Sequence, residues 1–284
     1  MSTDTTPVAQ ALATIAGNRF DVRAKSSDFA DEWLPDAERL CRAIGTPPDG
    51  VACPLGLFVQ PFGPHHMAIV QFSNIPNPGL AFRFLVLPRN EYARRCPDPF
   101  AVGDLFPPDW AARGELPSLE LPARPLEPTT VEQLQQILQT GGSQTLLGAA
   151  QALIDGGRLV FKRPAPAPQL LRNLWQMLPY STRAELWPAT FAFANGLRFD
   201  VLVVPAAAGV ELDRYITEDQ AVDYPEGRFE FGLQYAVEHG DRREVDRLLR
   251  RRSSKQTLRL ALWLLVGSVV LYLAANAQGR LLGG

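Results

Sequence analysis

Cysteine and histidine, from which most metal sites and covalent active sites are built, are scarce: three of each in 284 residues. Cys41, Cys53 and Cys96 are too few and too scattered for a disulfide framework, and an odd number argues against a stapled secreted domain. No C-x-x-C or H-x-x-x-H spacing exists for zinc. His65 and His66 are neighbours, so on a strand they project to opposite faces and cannot chelate one ion as a simple pair. Also missing are G-x-G-x-x-G, G-x-x-x-x-G-K-[ST] and G-x-S-x-G, so no cofactor is implied. The 22 glycines and 25 prolines follow no G-X-Y period, which excludes collagen. The first ten residues contain neither a basic stretch nor a long apolar one, so no secretory signal is expected there.

What is present is a chain 46% hydrophobic, enough to bury a sizeable core, with a net charge of −2 that hides an asymmetry. Residues 241–259 carry eight bases (Arg242, Arg243, Arg247, Arg250, Arg251, Arg252, Lys255 and Arg259) against three acids. Beyond them the only base is Arg280. Nine of the 28 bases and three of the 30 acids thus follow residue 240, leaving 19 bases against 27 acids before it. An acidic body with a basic collar gives no support for nucleic-acid binding, which needs a basic surface to displace counterions from phosphates.

The collar leads into the run 260–275, LALWLLVGSVVLYLAA, which has no charge. Continued through Asn276 and Ala277 it reaches eighteen residues, roughly 27 Å of helix against a hydrocarbon core of ~30 Å. A single transmembrane helix is therefore expected over 257–277. Trp263 and Tyr272 would sit at its two interfaces, and Arg259 and Arg280 would snorkel outward. The bases before it, Arg250, Arg251, Arg252 and Lys255 above all, orient it with the body in the cytoplasm and 278–284 across the membrane. That describes a tail-anchored, single-pass protein, expected at a bacterial inner membrane, whose partners include the lipid bilayer itself. The collar can also attract anionic lipid.

The body reads as α+β in two lobes: an N-terminal segment 1–18 with a short helix, a lobe 19–128, a second lobe 129–225, and a basic juxtamembrane helical region 226–256. In the first lobe the apolar patterns at 55–60, 66–72 and 80–87 mark three strands. Residues 27–44 mark a helix capped by Ser27, broken at Pro35 and stopped by Gly45. Residues 97–128 are proline-rich but carry Phe100, Phe106 and Trp110, so an ordered meander is expected rather than a linker. The second lobe opens with a helical hairpin: Thr130 caps a helix with Gln133 reaching back, and Gly141-Gly142 turns into a partner helix from Ser143. A strand at 158–162 and a helix at 169–178 follow, then two strands, 190–193 and 198–204, expected to pair as a hairpin about Asn195-Gly196. Helix returns over 229–252 with a break at Gly240.

Candidates for chemistry are thin. His65 and His66, with Cys53 or Cys96, could serve a membrane-tethered hydrolase or transferase, Cys96 having Arg94 and Arg95 to lower its pKa. Glu211, Asp213, Glu218, Asp219 and Asp223 form an acidic loop without calcium-loop spacing, which would keep the body soluble. Trp175, Tyr180 and Trp187 are either core or the lining of a groove for a partner protein.

Residues 170–205, LLRNLWQMLPYSTRAELWPATFAFANGLRFDVLVVP, resemble the central region of bacterial GTPase-associated regulatory proteins of signalling and conflict operons. There a helix with "LW..LP...R..L" leads into "ATF.F" and "FDVLVVP" strands. Residues 82–100, FRFLVLPRNEYARRCPDPF, are similar to the strand–helix unit of that family's N-terminal part. The resemblance covers about a fifth of the chain and implies an adaptor or regulator whose partner is a GTPase. This chain departs from the pattern in its apolar C-terminal run and in having no matching catalytic arginine motif.

Overall fold

The period-two patterns of 55–60, 66–72 and 80–87 become the antiparallel centre of a large mixed sheet in the computed structural model, which describes residues 5–74, 79–95, 98–122, 129–206, 212–225, 227–251, 263–265 and 267–268. The body is a mixed α/β structure, 39% helix and 26% strand.

The chain enters as β1 (Thr6–Ala16) and β2 (Arg19–Ser26), an antiparallel pair. The helix expected within 1–18 is therefore a strand. Its alanines explain why tertiary packing overrides local propensity: Ala9, Ala11 and Ala13 stand opposite Val86, Phe84 and Phe82, small groups fitting beside large ones. A boundary at residue 18 would cut this hairpin. Next comes α1 (Leu34–Ala43), with Pro35 in its first turn, where a missing N–H is harmless. Pro35 thus opens the helix rather than breaking it, and Ser27 lies well before its start. Gly45 turns the chain at φ +88°, and a Cβ there would fall 2.7 Å from that of Ala194.

Three strands follow, β3 (Gly56–Phe62), β4 (His66–Ser73) and β5 (Leu80–Pro88). Their register puts Phe58, Phe62, Val70, Phe72, Phe82 and Phe84 on one face. Phe29 and Trp33 pack there, at 6.1 and 5.7 Å from the Phe62 ring. The other face receives α2 (Arg89–Arg95) and α3 (Pro99–Leu105), the latter capped by Asp98. Over its described residues, 98–122, the proline-rich meander is ordered as its aromatics imply, and adds β6 (Gly114–Leu116) beside β2 and β7 (Leu119–Leu121) beside β1.

The second half begins with α4 (Val131–Gln139), whose Thr130–Gln133 capping box is complete, and α5 (Ser143–Ile154). Then come β8 (Leu159–Lys162), α6 (Pro168–Met177), α7 (Tyr180–Arg183), β9 (Pro188–Ala189) and β10 (Val201–Val204). β9 and β10 are parallel, so the expected hairpin is not formed. Residues 190–200 instead loop back with Phe191 and Phe199 buried, and the Asn195 side chain ties the loop to the Tyr215 hydroxyl at 2.9 Å. Next are β11 (Ile216–Thr217) and α8 (Glu218–Val222), where Glu218 of the acidic loop takes a bidentate ion pair from Arg163, 2.7 Å on each arm. Glu211 lies outside the described residues.

Strand order is β11-β8-β10-β9-β3-β4-β5-β1-β2-β6. The parallel and antiparallel halves meet at β9 and β3. There Thr190 donates its N–H to the Leu57 carbonyl at 2.8 Å and accepts the Leu57 N–H on its hydroxyl at 2.8 Å. Phe58 packs on Phe199 across the same seam, so one core runs through both halves.

The chain then forms α9 (Arg228–Glu238) and α10 (Arg242–Leu249), broken at Gly240 as expected. Among the described residues no helix is long and apolar enough to cross a membrane. The run expected to do so, 257–277, lies almost wholly outside them. Its described residues 263–265 and 267–268 are helical, with Trp263 exposed.

Candidate functional site

His65 sits exposed in the turn from β3 to β4, and His66 opens β4 opposite Pro88. The His66 ring lies 4.8 Å from that of Trp33, which in turn meets Phe29 edge-on at 5.4 Å. Burial lowers the His66 pKa, His65 adds to that, and Glu32 opposes it. His66 is thus the rim of an aromatic cluster. Cys41 and Cys53 are fully buried. Desolvation pushes the Cys53 thiol up to about 12 and raises that of Cys41 strongly. At neutral pH a thiol of that pKa is ionised in only about one molecule in 10⁵, too few to supply a nucleophile. Cys96 lies outside the described residues. No group of three or more His, Cys, Asp or Glu converges as metal ligands among the described residues.

The aromatic candidates separate. Trp175, expected as core or groove, is core: it is 0% exposed and meets Phe100 edge-on at 5.8 Å. It is therefore withdrawn from any partner groove. Tyr180 and Trp187 are half-buried. Trp187 packs on the core and its backbone N–H donates to the Asp200 carboxylate at 2.9 Å. Tyr180 carries the Arg183 guanidinium 4.7 Å above its ring.

Arg183, the arginine of the "LP...R..L" pattern, is the more informative residue, although the pattern alone assigned it no role. It is only 3% exposed, and it donates to the carbonyls of Leu178 and Gln176 and to the Thr129 hydroxyl, at 2.8 to 3.1 Å. Desolvation lowers its pKa to about 10, with Tyr180 and Asp98 acting the other way, so it remains a cation at neutral pH. It binds the end of α6 to the start of α4. Arg83 acts alike on the other half, donating to the Phe106 and Pro107 carbonyls at 2.6 Å and to Gln10 at 2.8 Å, which fastens the meander to the sheet. Both arginines hold carbonyls and position backbone.

The surface that stands out lies on α9 and α10. Phe229, Leu233, Ala236 and Val237 of α9 point into the core, as do Val245, Leu248 and Leu249 of α10. Outward, at i, i+4 and i+8, stand Phe231, Tyr235 and His239, with Phe231 66% and Tyr235 54% exposed. Their rings stack in sequence, 6.5 Å from Phe231 to Tyr235 and 4.0 Å from Tyr235 to His239. The spacing is visible in the sequence, but which face turns outward depends on the buried one.

The helix pair is fastened to the body. Gln135 donates to the Val237 carbonyl at 2.9 Å, Arg242 pairs with Glu132, and the Ser181 hydroxyl donates to the Arg251 carbonyl at 2.6 Å. Of the bases expected to set topology, Arg250 and Arg251 are exposed at the end of α10. Arg252, Lys255, Arg259, Tyr272 and Arg280 lie outside the described residues.

The likeness of 170–205 and 82–100 to GTPase-associated regulatory proteins rests on those residues alone. No family model matches the chain, and no curated protein matches it as a relative.

Proposed function

We propose that the chain is a membrane-anchored adaptor or regulator. The run 257–277 forms one transmembrane helix, and the single-core body, rather than the two lobes expected from the sequence, is held on the arginine-rich, cytoplasmic side of a bacterial inner membrane. Its partner is another protein, a GTPase in the specific form that the resemblance implies. The observation that carries this reading is the junction. α10, which ends ten residues before the apolar run in the sequence, is a packed part of the body, closed by the Ser181–Arg251 bond and the Arg242–Glu132 pair. With α10 packed on the body, only a short linker separates the body from the apolar run, which keeps its surface at a high effective concentration for a partner at the same membrane.

The alternative, a membrane-tethered hydrolase or transferase using His65 or His66, draws less support, because His66 stacks on Trp33 and the described thiols are buried and protonated. The test is crosslinking of the full chain in cells, followed by purification from solubilised membranes beside a control carrying only 226–284. Proteins enriched by the full chain alone support the adaptor; none enriched over the control contradicts it. For the regulatory form, addition of the full chain should change GTP turnover by an enriched GTPase.

A further inference from the structure

Exposed aromatic side chains stacked along one helix face are costly in water and mark a surface that is covered in use. The placement of this one says what covers it. A Cβ added at Gly232 would fall 3.6 Å from Leu248, so the last turn of α10 packs beside the turn of α9 that carries Phe231. From Arg251 to the first residue of the apolar run, Leu260, there are eight intervening residues. Even fully extended, the nine steps from Arg251 to Leu260 span at most about 32 Å. Helix α9, eleven residues long and so about 16 Å, is thus held within tether range of wherever the apolar run resides.

The charges around the stripe agree. Arg242 is taken by Glu132 and Arg247 by Glu244, while Asp241 caps α10 and Glu238 accepts from Gln234. Outside those ion pairs stand the exposed bases Arg243, Arg250 and Arg251 and the exposed acids Glu238, Asp241 and Asp246, while residues 250–259 carry five bases and no acid. Bases of this kind draw a surface toward anionic lipid, and amphipathic rings settle at the headgroup level.

We infer that the outer face of α9, Phe231, Tyr235 and His239, lies in the headgroup region of an anionic phospholipid bilayer, with Arg243, Arg250 and Arg251 on the lipid phosphates. This rests on the membrane-anchor reading above. It makes the body lie against the membrane on one side, so that partners reach it only from the other.

The test uses the full chain in vesicles, with the photocrosslinker p-benzoylphenylalanine placed at Tyr235, or at Asp28 in the antiparallel half as control. Vesicles are phosphatidylcholine alone or phosphatidylcholine mixed with phosphatidylglycerol, and mass spectrometry reads the adducts. Lipid adducts at Tyr235 and not at Asp28, stronger with phosphatidylglycerol, are expected. Arg243→Glu with Arg250→Glu should reduce them by up to about fivefold per base. A chain that stays with the vesicles after an alkaline wash yet forms no lipid adduct at Tyr235, or crosslinks there to a second copy, overturns the inference and leaves the anchor standing. A chain that washes off overturns both.

Discussion

Thr190 and Leu57 exchange hydrogen bonds across the seam of the sheet, the Thr190 hydroxyl standing in for the ladder partner that β3 lacks at that point. Removing the hydroxyl strands a buried N–H. Thr190→Val, which keeps the shape, is expected to cost about 1–3 kcal/mol. Denaturant unfolding of the full chain in detergent, followed by the signals of both halves, measures this. A loss confined to one half would contradict the single core.

Arg183→Met leaves the Gln176 and Leu178 carbonyls and the Thr129 hydroxyl without their donor. Because no carboxylate among the described residues hydrogen-bonds Arg183, its removal does not strand an opposite charge there, and a loss of about 2–4 kcal/mol is expected. Arg183→Lys should be no better, since one ammonium cannot reach three acceptors placed for a planar fork. Full stability in either variant contradicts the clamp.

Gly148 is where α5 meets α8, and a Cβ there would fall 2.0 Å from the Ala221 carbonyl oxygen. Gly148→Ala is therefore expected to destabilise by about 1–3 kcal/mol despite alanine's better helix propensity. A gain in melting temperature would show that the helices are not in this contact.

The buried thiols give stability a pH dependence of known sign. Folding raises the Cys53 pKa from 9.0 to about 12, so above pH 9 the unfolded chain loses a proton that the folded chain keeps. Cys53 therefore stabilises fully below pH 9, and that contribution is lost as pH rises toward 12, by at most about 1.4 kcal/mol per pH unit. Cys53→Ala should flatten this slope, and Cys41 and Cys53 should react with a thiol reagent only on unfolding. Rapid labelling of either in the folded chain contradicts their burial.

Much of the fold was legible because its signals were local. The three central strands alternate, and the capping box at Thr130 is a four-residue pattern. Gly240 breaks a helix as its composition implies. What escaped were elements decided by distant neighbours. Residues 6–16 look helical until Phe82 and Phe84 are seen opposite their alanines. Asn195-Gly196 looks like a hairpin turn until residues 190–200 are found looping between parallel strands. Among the candidates, Trp175 has helical spacing that fits a core or a groove equally, and only its contact with Phe100 decides. Arg183 stands in the "LP...R..L" pattern, but its role there, like that of the Phe231–Tyr235–His239 stripe, gains meaning only from what is buried around it.

A membrane-held body requires residues 257–277 to reside in a bilayer, and the most direct measurement is the partition of the full chain between membrane pellet and supernatant after washes with high salt and then alkaline carbonate. Retention through both, release by detergent alone, and loss of retention on deleting 257–284 are predicted. Release of the intact full chain by salt or carbonate would contradict it.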